Sequence, residues 1–181
     1  MPLPKLDDAQ IAWVIEQVAA YIERQRSAFA LRAVPLSDNQ KMSMCPFFTE
    51  RILNSARVVL AAEQVGNPPF YRGLMRMGFQ DGSLPDFALM AATTFVDVVV
   101  SHKPITSKLL FHELVHVAQY EKLGLADFAA KYVRGFLNGG SYEAIPLEVN
   151  AYELEVRFAA APTKPFSVEI EVQSWIDARR F

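Results

Sequence analysis

The chain has 181 residues, 51% of them hydrophobic and 21% charged, which suits one globular domain with a substantial core and excludes a disordered or low-complexity polymer. Eighteen Lys and Arg against twenty Asp and Glu leave a formal charge of -2, so there is no basic surplus to neutralise a phosphate backbone, and nucleic acid is excluded as a first partner. The single cysteine, Cys45, excludes a disulfide framework and a thiolate-pair metal site and reads as a small buried hydrophobe; no apolar run approaches the ~18 residues of a membrane span, and the opening MPLPKLDDAQ lacks a secretory signal, which points to the cytoplasm.

Residues 7–32 read as a long amphipathic helix, capped by Asp7 or Asp8, with Ile11, Val14, Ile15, Val18 and Ile22 on one buried face. From Pro35 to Glu50 the residues are polar and turn-forming, and the β-prone run Ala56 to Ala61 reads as a short strand. The stretch from Gly66 to Phe87 holds three prolines and four glycines and reads as an ordered surface loop, either a simple connection or a lid over a cleft. Residues 92–101, rich in Thr, Val and Phe with a polar break at Asp97, predict one bent strand or two short ones. Three helices follow over 106–123, 126–137 and 146–160, with Gly124 and Gly139-Gly140 as stop signals and Pro146 in a first turn. A last amphipathic helix covers 168–179.

The sharpest signal is His112-Glu113-Leu114-Val115-His116. On a helix, residues four apart share a face, so the two imidazoles can converge on one ion with Glu113 beside them. The expected number of chance matches in a chain of this composition is roughly 0.003. Thr106 or Ser107 can cap this helix, and Leu110, Leu114 and Val117 form its buried stripe. Neutral imidazoles suit Zn2+, and a catalytic zinc takes three protein ligands plus a water whose pKa it lowers towards ~7, so Glu113 is placed to take the proton. The rival is a pair of histidines satisfied by core hydrogen bonds.

A third ligand comes from elsewhere. The extended metzincin pattern requires Gly at 119 and His at 122, but the chain has Gln119 and Lys122, so that subclass is excluded. On the helix over 146–160, Glu148, Tyr152 and Glu155 lie at i, i+4 and i+7 on one face that can look at the histidines. Glu143 is a rival third ligand, although it precedes Pro146. Tyr152, Tyr142, His102 and Arg134 are candidate donors to an oxyanion, Tyr152 foremost because it shares the face of Glu148. His102 otherwise reads as a strand-end surface histidine.

HELVH at 112–116 followed by Glu148-Val-Asn-Ala-Tyr152 resembles the gluzincin arrangement, HExxH and then ExxA(D/Y) on the next major helix, found in small bacterial zincin-like domains of metallopeptidase type. The likeness covers about fifty residues, Lys108 to Arg157. It implies a compact α+β zincin-like domain over residues 1–181, mainly helical, with a small sheet beside the HExxH helix. It also implies His112, His116 and Glu148 as zinc ligands, Glu113 as general base, and a peptide or protein substrate held along an edge strand that falls within residues 92–101. Where many gluzincins carry a ligand-orienting Asp, this chain has Tyr152, which leaves that role to Glu155 or a backbone carbonyl. The alternative is a non-catalytic zinc-binding domain that acts as a protein-interaction module.

Overall fold

A computed structural model describes residues 3–181. The chain folds as an α+β structure, mainly helical, with one four-stranded mixed sheet. Helix α1 (Asp8–Ala30) starts at a capping box in which Asp7 accepts from the Gln10 backbone and the Gln10 side chain accepts from that of Asp7. Two such bonds satisfy amides that a helix start otherwise leaves unpaired. The predicted apolar face packs inward through Val14 and Ile22, extended by Tyr21 and Phe29.

The segment from Pro35 to Glu50, expected to be irregular, holds a short helix, α2 (Asp38–Met44), and a second short helix, α3 (Glu50–Ser55), begins where it ends. A second capping box, Ser37 with Gln40, starts α2. Cys45 caps its end and is exposed, contrary to the buried role expected of it. The chain turns outward there, and Met44 fills the core position instead.

Strand β1 (Val34–Pro35) pairs antiparallel with β2 (Arg57–Leu60), which runs parallel to β4 (Val98–Ser101). Antiparallel to β4 lies β3 (Ala92–Phe95), so the order is β1-β2-β4-β3 and β3 forms an edge. The run over 92–101 is thus two short strands, turned at Val96 and Asp97. Arg26 of α1 clamps this turn with two hydrogen bonds to the Asp97 carboxylate. The loop of residues 66–87 contains a helix, α4 (Tyr71–Arg76), and is tied down by Tyr71 to the Pro85 carbonyl and by Asn67 to Asp86.

Helix α5 (Ser107–Gly139) starts at Thr106, whose side chain accepts from the Leu109 backbone. It breaks at Gly124, where φ is 74°, a conformation that costs a side-chain-bearing residue energy and glycine almost none. The two arms match the two helices predicted on either side of that residue. The first arm is buried on every side from Leu110 to Tyr120 and lies between two apolar clusters. One cluster joins α1, β3 and the second arm; the other joins α2, α3, α6 (Pro146–Ala160) and α7 (Val168–Asp177). At Gly135 a Cβ would stand 2.6 Å from Pro146 Cδ. The missing side chain lets the start of α6 close onto α5, which brings Glu148 over the histidines. Among the described residues no helix is long and apolar enough to cross a membrane.

Candidate metal centre

His112 and His116 are one turn apart on α5, and Glu148 reaches them from the first turn of α6, where the helix dipole favours a carboxylate. The Nε2 atoms of the two imidazoles are 3.2 Å apart. Glu148 Oε2 lies 3.6 Å from His112 Nε2 and 3.4 Å from His116 Nε2. All three side chains are buried, and Glu148 Oε2 has no hydrogen-bond partner. A buried carboxylate oxygen without a partner carries an uncompensated desolvation cost, and one cation between the three atoms removes it. The group can hold a metal ion.

Electrostatics agree with that role. Burial alone would raise the Glu148 carboxyl, but the His116 and His112 imidazoles outweigh it and hold the carboxyl below its usual range. Burial alone would lower His116, but Glu148 outweighs it and pushes the imidazole up. A site that favours a proton on imidazole is a site of negative potential, which also favours a cation.

Each histidine is steered from behind. Gln119, fully buried, donates through Nε2 to the Leu147 carbonyl and to Asn150 Oδ1, both at 2.9 Å. That orients its amide so that Oε1 accepts from His116 Nδ1 at 2.9 Å, which leaves the lone pair on Nε2 for the cluster. At His112 the neighbour is a carboxylate: Glu155 Oε2 lies 3.0 Å from Nδ1. The pair is at ion-pair distance, although Nδ1 is not aligned for a hydrogen bond. Lys108 holds the other Glu155 oxygen at 3.0 Å. Replacing Gln119 by Leu leaves the His116 ring N–H and the Asn150 amide oxygen unpaired, and is expected to weaken metal binding roughly 10- to 100-fold. Competition with a chromogenic chelator measures this; unchanged affinity would contradict the role of Gln119.

Glu113, on the same turn, is buried, and burial pushes its carboxyl above the usual range. Thr94 on β3 donates to its Oε2 at 2.7 Å, which fixes one oxygen and leaves Oε1 as the free proton acceptor. Two cavities meet at this residue. One is a narrow pocket of about 100 Å³, walled by Tyr21, Phe70, Tyr120, Phe128 and Phe136 among others, with His116 and Glu148 at its end. The other is a wide cleft of about 930 Å³ bordered by His112, Tyr152 and Glu155 and by the loop from Gly78 to Asp86. That loop forms a wall of the cleft.

The face predicted on α6 is the face observed. Glu148 joins the histidines, the Tyr152 ring lies 4.6 Å from the His112 ring and is 42% exposed, and Glu155 backs His112. Glu143 is exposed on the cleft rim and stands outside the His-His-Glu group. Tyr142 borders both cavities, and burial, with the Glu148 carboxylate nearby, pushes its hydroxyl up. His102 accepts a 3.4 Å bond from the Val65 backbone beyond the end of β4, away from the cluster. Arg134 is exposed and borders neither cavity. Thr94, Gln119 and Asn150 were not anticipated. For Gln119 a signal existed, since it is three residues past His116 on the same helix, within side-chain reach. Comparison with protein-family models, with curated proteins and with solved structures returns no match to this chain.

Proposed function

We propose that the chain is a zinc-dependent hydrolase of gluzincin type, acting on peptide bonds with Glu113 as general base. The observation that carries the reading is the triangle of ligand atoms, with sides of 3.2, 3.4 and 3.6 Å, beside a buried carboxylate. Tetrahedral zinc with bonds of about 2.0–2.1 Å sets its ligand atoms about 3.3–3.4 Å apart, and two imidazoles with one carboxylate form a known catalytic donor set. His112, His116 and Glu148 would hold the ion.

When bound, zinc supplies Lewis acidity, acidifying a water and polarising a carbonyl. Glu113 takes the proton of the attacking water on Oε1, since Thr94 occupies Oε2, and returns it to the leaving amine. A carboxylate whose pKa burial pushes up is a stronger base than an exposed one. Tyr152, half-exposed beside the His112 ring, would be the donor to the developing oxyanion. The case for a peptide rests on β3, an edge strand bordering both cavities. An extended backbone can pair with such an edge while side chains enter the cavities on either side.

The test is hydrolysis of an unbiased peptide mixture, read by mass spectrometry. Cleavage is expected with zinc, lost after chelation, and restored by zinc alone. Cleavage that persists after complete metal removal would contradict the reading, while bound metal with no cleavage of any peptide would favour the interaction-module alternative.

A further inference from the structure

The turn that joins β3 to β4 is strained, and it begins two residues after Thr94, the side chain that orients Glu113. Phe95 pairs with Val98, so Val96 and Asp97 alone make the connection. The backbone φ is positive at Val96, at 62°, and not at Asp97, which is the pattern of a type II′ turn. That turn has the twist a tight hairpin needs, but its first central position is a place for glycine. Valine, branched at Cβ, is among the residues least suited to the left-handed region. Left to itself the turn would relax to negative φ, and the type I and II turns available there splay the strands they join.

Two neighbours hold the turn in place. The Asp97 carbonyl accepts from the Arg57 amide of β2 at 2.8 Å. The Asp97 carboxylate accepts from both Nε and Nη2 of Arg26, the latter at 3.0 Å. An exposed ion pair contributes little, but this one is bidentate and its carboxylate is only 23% exposed. Arg26 belongs to α1, whose Tyr21 and Phe29 rings also pack on Phe95, with centroids 6.0 and 6.2 Å away. Val96 itself packs against the core. On the same strand Thr94, 7% exposed, donates to Glu113 Oε2 at 2.7 Å. Backbone strain persists only where its surroundings over-determine it, and it gathers where placement matters to function. We infer that Arg26 is a positioning residue for the general base: by holding the turn at Val96 and Asp97 in its left-handed form, it keeps β3 where the Thr94 hydroxyl meets Glu113. The inference rests on the hydrolase reading for the role of Glu113, and on the turn itself for the clamp. If Arg26 served stability alone, relieving the strain at Val96 would not restore a function lost with Arg26.

The test is a double substitution. Arg26→Gln removes the clamp, and Val96→Gly removes the need for it, since glycine adopts positive φ about as readily as negative. The Thr94 methyl group, isotopically labelled and followed by nuclear magnetic resonance in protein supplied with zinc, reports its place beside Glu113. Its resonance is expected to move in Arg26→Gln and to return to the wild-type position in Arg26→Gln/Val96→Gly. Zinc content is expected to stay at the wild-type level in both, because the ligands lie on α5 and α6. With a cleaved peptide, kcat is expected to fall roughly 10- to 100-fold in Arg26→Gln with KM nearly unchanged, the cost of a small displacement at a reacting group. The second substitution restores kcat to near the wild-type value. Thr94→Val lowers kcat by a similar factor, and Val96→Gly does not restore that loss. A Thr94 resonance unmoved in Arg26→Gln, a shift that Val96→Gly does not reverse, loss of zinc, or reversal of the shift without recovery of kcat would overturn the inference. If the wild-type protein cleaves no peptide, the hydrolase reading fails, while the Thr94 resonance still decides whether Arg26 places β3.

Discussion

Glu113→Gln is expected to keep its metal and lose peptide hydrolysis by about 10²- to 10⁴-fold, the range over which a positioned general base contributes. The substitution preserves shape: the Gln amide oxygen can still accept the Thr94 hydroxyl that now bonds Oε2 at 2.7 Å. Burial pushes the Glu113 carboxyl up, so the charged form is the costly one in the folded protein. Replacing it by a neutral amide removes that cost, and the variant is expected to unfold at the same temperature as wild type or higher. Metal content, kcat and melting temperature measured on one preparation separate a chemical defect from a structural one. Activity within a few-fold of wild type would sink the assignment of Glu113 as base; loss of metal together with activity would place its role in holding the ion.

The second large effect is structural. Phe111, fully buried and next to His112, stacks on Phe158 of α6 with ring centroids 4.4 Å apart, and meets Phe47 and Phe48 at 5.6 and 5.2 Å. Phe111→Ala opens a cavity where the turn between α2 and α3 meets α5 and α6 and is expected to cost about 3–5 kcal/mol. For a chain of this size each kcal/mol shifts the midpoint by roughly 2–4 °C, so calorimetry should show a fall of roughly 6–20 °C. The same packing sets the register of α6 on α5, and hence of Glu148 on the histidines, so metal affinity should fall as well. A midpoint unchanged within about 2 °C would show that the aromatic stack does not hold the two helices together.

What could be read from the sequence follows from how local the signals are. The long helices were legible because each carries a cap, a period and a stop within its own span: Asp7 before α1, Thr106 and Gly124 around the first arm of α5, Pro146 opening α6. His112, Glu113 and His116 were legible because a single turn of helix fixes their spacing, and Glu148, Tyr152 and Glu155 because three positions on one helix share a face. Helices α2 and α3 were missed because they are too short for a period to show, although the Ser37 and Gln40 box marks where α2 begins. Cys45 was misplaced because residue type alone says little about one position at a helix end. The parallel pairing of β2 with β4, and with it the edge position of β3 and the Thr94 bond to Glu113, depends on contacts between segments distant in the chain. No local pattern encodes such contacts.

The central claim is that His112, His116 and Glu148 hold one ion. Metal content by inductively coupled plasma mass spectrometry, on protein supplied with zinc and freed of excess, tests it most directly. About one zinc per chain is expected in the wild type, and almost none in His116→Ala and Glu148→Gln, because each removes one of three ligands. Wild-type protein that takes up no metal when zinc is supplied, or zinc retained at full stoichiometry in both variants, would contradict the account.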